Sequence, residues 1–254
     1  MGGESATRTA PHSGGTSRGP AGGRTGQRLS GLAVALGLVL FLGGFGWAAV
    51  TYLPYTVPTG SMTPTIDAGD RVLAQRVDGG EVRRGDVVVF KDATWGDAPL
   101  IKRVVAVGGD RVSCCRNGRL TVNGKAIEEP YLTEGQPAED MNFTVNVPEG
   151  RLFLLGDERQ GSLDSTAHLT DAASGTVARD DISARVDAVV FPLDGMLARP
   201  TGFEALGSLS SPGPLRTMGI MIVAGAVLVL GGGAYGPVAK VLGPRKRTEP
   251  AGAR

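Results

Sequence analysis

Ser61, in Val57-Pro58-Thr59-Gly60-Ser61-Met62-Thr63-Pro64-Thr65, is a serine set beside a glycine, between two prolines and among other hydroxyls. Prolines restrict the backbone, and hydroxyls can donate hydrogen bonds, so the serine could be a held nucleophile. The same residue types make ordinary connecting loops, so the stretch alone decides nothing. A serine hydroxyl attacks poorly until a base takes its proton. Histidine is the usual base, and the chain has two. His12 lies in a polar N-terminal tail, and His168 in the polar run Ser165 to Asp171. A Ser-His-Asp triad would have to use His168.

Lysine is the other base available. Lys102 interrupts Leu100 to Val107, a continuous apolar run that reads as a buried strand. At a sheet edge such a lysine would snorkel its amine into water. Fully buried, it would be held neutral instead. A free lysine with a pKa of about 10.4 is unprotonated in about one molecule per thousand near pH 7.4, a cost of roughly 4 kcal/mol. Burial lowers that pKa by several units, which makes a neutral amine available as a base. Arg103, the next strand residue, points to the opposite face and needs a partner of its own. A third polar segment, Gly156-Asp157-Glu158-Arg159-Gln160-Gly161-Ser162-Leu163-Asp164-Ser165, follows the apolar Leu152 to Leu155. By composition it is simply a polar loop.

The elements that must position these residues are legible in outline. Residues 1–28 are almost devoid of apolar side chains and are expected to be a disordered tail. No charge appears from Leu29 to Val50, and 22 residues at 1.5 Å make a helix of about 33 Å, enough to cross a bilayer core. A transmembrane helix is expected over 29–52. A cleaved signal peptide has a shorter apolar core, about 7 to 15 residues, and a small-x-small site that Ala48 and Ala49 do not supply. A second uncharged run, 217–239, reads as a further transmembrane helix, although Gly231 to Gly233 and Pro237 also fit a buried or interfacial helix. Residues 196–216, rich in Gly, Ser and Pro, read as a linker, and 240–254 as a basic tail. Basic residues flank both runs at the chain ends, so both ends are expected in the cytoplasm and the middle outside.

That middle, 53–195, reads as short strands with a hairpin signal at Asn123-Gly124 and no amphipathic helix beyond three turns. The fold class is mainly β, a β-rich catalytic domain between two transmembrane helices. Neither an internal repeat nor a glycine-rich phosphate loop is present. With 26 basic and 25 acidic residues, nothing points to nucleic acid. Two cysteines and two histidines are too few for a zinc site built on Cys and His alone. The cysteines are adjacent, Cys114 and Cys115, and are either a vicinal disulfide or two free thiols. A trans peptide sets their Cα atoms about 3.8 Å apart, below the usual disulfide range, so strain is expected if they bond.

Taken together the segments resemble the type I signal peptidases, bacterial membrane-bound Ser-Lys proteases, in a Gram-positive-like form with two membrane spans. Pro58 to Thr65 resembles the nucleophile box, Gly85 to Phe90 the next strand box, Ile101 to Asp110 the lysine box and Gly156 to Ser165 the last. The resemblance implies Ser61 as nucleophile, Lys102 as general base, and Thr59 completing an oxyanion hole with the Ser61 amide. It implies that Ser162 hydrogen-bonds the lysine amine and that Asp157 pairs with Arg103. The chain departs from the pattern at Glu158, where Asn is usual, and at Thr166, where Arg is usual, which leaves the supporting Asp164 without its customary partner. The implied activity is removal of signal peptides from secretory preproteins, after small residues at the first and third positions before the cut. No metal or cofactor is called for. The implied partners are preproteins, the lipid bilayer and the secretion translocon, and the implied location is the bacterial cell membrane. A membrane-anchored β-domain that binds a ligand without catalysis is the alternative.

Overall fold

The computed structural model describes residues 22–242, so the expected tail residues 1–21, with His12, and 243–254 lie outside the described residues. The described residues divide into two compact units, 22–44 with 220–242, and 45–219.

The first unit is helical. It holds most of α1 (Gly22–Thr51) and of α2 (Leu215–Leu242). Helix α1 begins before Leu29, so residues 22–28 of the expected disordered tail are helical; they lie within one uninterrupted turn pattern with the apolar run. The two helices touch through small residues: a Cβ at Gly37 would lie 2.8 Å from the Gly225 carbonyl oxygen. Ser30 Oγ donates to the Gly232 carbonyl at 2.7 Å. Close approach over glycine with a hydroxyl bond is how helices associate where apolar burial gives no drive. Leu32, Val39, Ile220 and Leu230 remain exposed, and both helices are long and apolar enough to cross a membrane.

The second unit is β-rich and includes the last residues of α1 and the first of α2. Its strands are β1 (Tyr52–Thr56), β2 (Arg71–Arg76), β3 (Val87–Phe90), β4 (Leu100–Val107), β5 (Arg111–Arg116), β6 (Arg119–Val122), β7 (Lys125–Ala126), β8 (Phe143–Asn146), β9 (Arg151–Leu155), β10 (Thr176–Ala178), β11 (Ile182–Phe191) and β12 (Gly195–Met196). One sheet runs β1-β2-β11-β3-β4-β9-β10, with β12 beside β11, and a smaller one runs β7-β6-β5-β8. Every paired neighbour is antiparallel. Asn123 and Gly124 both take positive φ, the two-residue turn that matches strand twist, and so do Asn117 and Gly118, a second hairpin with the same signal. Val105, Phe153 and Leu155 of the large sheet pack with Val112, Leu120 and Phe143 of the small one.

The segment 196–216 is not a free linker. Phe203 is 1% exposed within the core shared by the sheets, Arg84 Nη1 donates to the Leu206 carbonyl at 3.0 Å, and Ser210 Oγ bonds Asp86. Its Gly-Ser-Pro composition hides one buried aromatic anchor. Tyr52, the first residue after α1, donates its hydroxyl to Asp187 Oδ2 at 2.9 Å and accepts from the Leu215 amide at 3.2 Å. Arg199 Nη2 also reaches Asp187, at 2.5 Å.

Candidate active site

Ser61 stands on a loop fastened at its base and pinned from inside. Val57 and residues 69–70 exchange backbone hydrogen bonds, Val57 N to the Asp70 carbonyl at 2.9 Å and Gly69 N to the Val57 carbonyl at 2.7 Å. Met62 and Ile66 are buried against Val72, Val87 and Val186, each contributing roughly 1.5–3 kcal/mol. Thr63 Oγ1 donates to Asp67 Oδ1 at 2.7 Å across the turn. Flanked by buried Val57 on one side and buried Met62 and Ile66 on the other, the serine has little freedom to drift.

Lys102 comes to it from the middle of the large sheet. Strand β4 lies between β3 and β9, with Lys102 opposite Val88. The side chain is 4% exposed, and its Nζ is 2.7 Å from Ser61 Oγ. Burial lowers the lysine pKa below its ordinary value, against the opposing influence of Asp164 and Asp157.

Arg103 sits on the other face. Its Nε and Nη2 grip Asp157 at 2.8 and 2.6 Å, its Nη1 donates to the Gly85 carbonyl at 2.9 Å, and the Tyr131 ring centroid lies 4.0 Å from Cζ. Burial alone would lower its pKa, but the Asp157 carboxylate more than offsets that, and the guanidinium stays charged. Thr65, four residues past Ser61, donates to Asp157 Oδ2 at 2.5 Å and accepts from Arg103 Nη2 at 3.2 Å. The nucleophile loop is therefore tied to both neighbours on β4.

The segment after β9 closes the site. The Glu158 amide donates to the Ser61 carbonyl at 3.2 Å. Asp164 is buried and fully engaged: Oδ2 accepts from Gly156 N at 2.9 Å, and Oδ1 from the amide and hydroxyl of Thr166 at 3.0 and 2.8 Å. Asp164 has no arginine partner here, and the amide and hydroxyl of Thr166 meet its Oδ1 instead, with two short-range bonds. Ser162 departs from its expected contact. Its Oγ is buried beside Gly156, where a Cβ would overlap it, and it has no hydrogen-bond partner among the described residues. Thr59 Oγ1 is 3.5 Å from Ser61 Oγ, at the outer limit of a hydrogen bond, and is exposed. His168 is not part of the group: its Nδ1 is 2.7 Å from Asp171 Oδ2 and its ring stacks on Trp95.

Residues 129–139 brace this segment, and nothing in their irregular sequence signals it. Buried Arg159 binds Glu129 through Nη2 at 2.5 Å, the Ala138 carbonyl at 2.6 Å and the Gly156 carbonyl at 3.0 Å. Tyr131 donates its hydroxyl to the same Glu129 at 2.7 Å, and Gln136 Nε2 donates to the Asp157 carbonyl at 3.0 Å. Burial, with Asp164 nearby, pushes Glu139 up to about 7. Cys114 and Cys115 are joined as a vicinal disulfide on β5, away from Ser61 in the sheet order. The trans spacing expected above does not apply, since their peptide is cis and the Cα atoms are 3.0 Å apart.

The described geometry thus brings a serine hydroxyl into contact with a buried lysine amine on a β scaffold. The model of the signal peptidase family, peptidase S26, matches residues 29–191, well over half of the chain. The chain belongs to the signal peptidase family. A probable signal peptidase I of Mycobacterium leprae is 30% identical over 228 residues, covering 66% of this chain and 76% of the relative. Signal peptidase I U of Bacillus subtilis is 33% identical over 156 residues, covering 58% and 80%. A signal peptidase I of Bacillus licheniformis is 32% identical over 173 residues, covering 64% and 86%. This family member is a serine endopeptidase, which sets aside the non-catalytic alternative, and its two apolar helices make it membrane-anchored.

Proposed function

We propose that this peptidase removes signal peptides from secretory preproteins by a Ser61–Lys102 dyad. The observation that carries the reading is the 2.7 Å contact between Ser61 Oγ and the amine of a buried lysine whose pKa is lowered. Neutral Lys102 takes the Ser61 proton as Oγ attacks the scissile carbonyl. The Ser61 amide and Thr59 hydroxyl receive the developing oxyanion. Lysinium then protonates the leaving amine, giving an acyl-enzyme. Lys102 next deprotonates a water that cleaves the ester, and the proton returns to Ser61. Ser162, whose buried Oγ has no partner among the described residues and lies beside Gly156 as does the Ser61 carbonyl, is the hydroxyl that orients Nζ, while Asp157, Arg103 and Asp164 hold the frame.

Cleavage follows small residues at the first and third positions before the cut. Both helices span the membrane, both chain ends face the cytoplasm, and residues 53–195 work outside, beside the bilayer and within reach of a translocon. Incubating the detergent-solubilised full chain with a secretory precursor tests the reading. Wild type should release mature protein at a site after Ala-x-Ala, and Ser61→Ala should not. An uncut precursor, or one cut equally by Ser61→Ala, would overturn it.

A further inference from the structure

The site opens into a pocket of about 550 Å³ whose walls include Ser61, Lys102, Leu100, Leu163 and Glu158. Glu158 is the position at which the chain carries a carboxylate where the resembled family usually has a neutral Asn. Its backbone is fixed to the nucleophile, since its amide donates to the Ser61 carbonyl. Its side chain is fixed as well, with Oε2 accepting from the Gly161 amide on the pocket wall. The other acids close by are spent: Asp157 on Arg103 and Thr65, Asp164 on backbone and Thr166. The nearby arginine, Arg159, is buried and bound to Glu129. With Lys102 neutral in the reacting state, the pocket walls carry one net charge, the negative charge of Glu158. Hydroxyls, glycines and leucines make up the rest.

We infer that Glu158 makes this site select preproteins with a Lys or Arg next to the cut and disfavour those with Asp or Glu there. The inference rests on the proposed reaction and adds a substrate class to it. A half-exposed carboxylate attracts a cation and repels an anion modestly, and the two effects together give about a tenfold Lys-to-Glu preference.

The test uses the full chain in detergent and precursors identical except for Lys, Gln or Glu at each of the two residues on either side of the cut that are not themselves the small-residue positions. At one or more of these positions wild type should show kcat/KM for Lys about tenfold above that for Glu, with Gln between. The ratio should shrink severalfold from low salt to 0.5 M salt. Glu158→Gln keeps an oxygen for the Gly161 amide and should bring the ratio near one. Glu158→Lys should invert it. Glu128→Gln, at an exposed surface acid, should leave it unchanged. A wild-type ratio near one at every position, or the same ratio in Glu158→Gln, overturns the inference and leaves Glu158 as a brace for Gly161. If wild type cuts no precursor at all, the proposed reaction falls, and the inference with it.

Discussion

Lys102 and Arg103 are adjacent cations on one strand, both nearly inaccessible, at 4% and 2% exposed, and the two faces of β4 treat them in opposite ways. On the arginine face the charge is matched by a bidentate carboxylate, a carbonyl, a hydroxyl and an aromatic ring. On the lysine face the amine has the Ser61 hydroxyl and, beyond it, an open pocket. Desolvation is common to both. What differs is compensation: with it the cation stays charged and becomes structure, and without it the amine is pushed toward its neutral form, the form that the proposed base requires.

That contrast is broken most severely from the lysine side in activity and from the arginine side in stability. Lys102→Ala or Ser61→Ala should lower kcat/KM for precursor cleavage by at least about 10³-fold, with an unchanged far-UV circular dichroism spectrum. Asp157→Asn leaves a guanidinium buried without its counter-charge and should cost about 3–5 kcal/mol in urea unfolding of the detergent-solubilised protein. Thr65→Val removes the hydroxyl shared by Arg103 and Asp157, and should cost about 1–2 kcal/mol in the same assay.

The mildest change is the most diagnostic. Lys102→Met should abolish cleavage yet stabilise the fold by about 1 kcal/mol at neutral pH, since it relieves a desolvated amine. The pH dependence has a fixed sign. Because the folded pKa of Lys102 is lowered, the unfolded chain binds the extra proton between the folded and unfolded values, and stability rises with pH across that window. Lys102→Met should flatten that slope. In wild type, kcat/KM should fall as the pH drops through the lowered pKa and the base is protonated, and a limb at the ordinary lysine value would contradict a desolvated amine.

The sequence carried the strands around Lys102 because apolar β-branched runs are self-announcing, and the four boxes because their spacing is specific. It concealed β1, since Tyr52 and Leu53 extend the apolar run of α1 and change element without changing polarity. It concealed the docked segment near Phe203, since one buried aromatic decides what many small residues obscure. The brace at Glu129, Tyr131 and Gln136 had no periodicity to reveal it, because its partners lie 21 to 30 residues away and only the tertiary fold brings them together. The substitute partners of Asp164 were not legible, because a carboxylate can be satisfied by local backbone as well as by a distant arginine. Asn117-Gly118 could have been read, for it carries the same turn signal as Asn123-Gly124.

Tyr52 directly follows one helix, Leu215 begins the other, and the Tyr52 phenol oxygen bonds the Leu215 amide and Asp187. The β unit is thus a long loop whose two ends meet. The pairing of α1 and α2 over Gly37 and Gly225 holds the flanking segments of that loop together as well. Loop-entropy estimates for covalent cross-links of comparable span reach about 5 kcal/mol. The anchor, in that sense, does part of the work of a disulfide: it removes disorder from the unfolded chain and so favours a small β fold that would otherwise have to close its own ends.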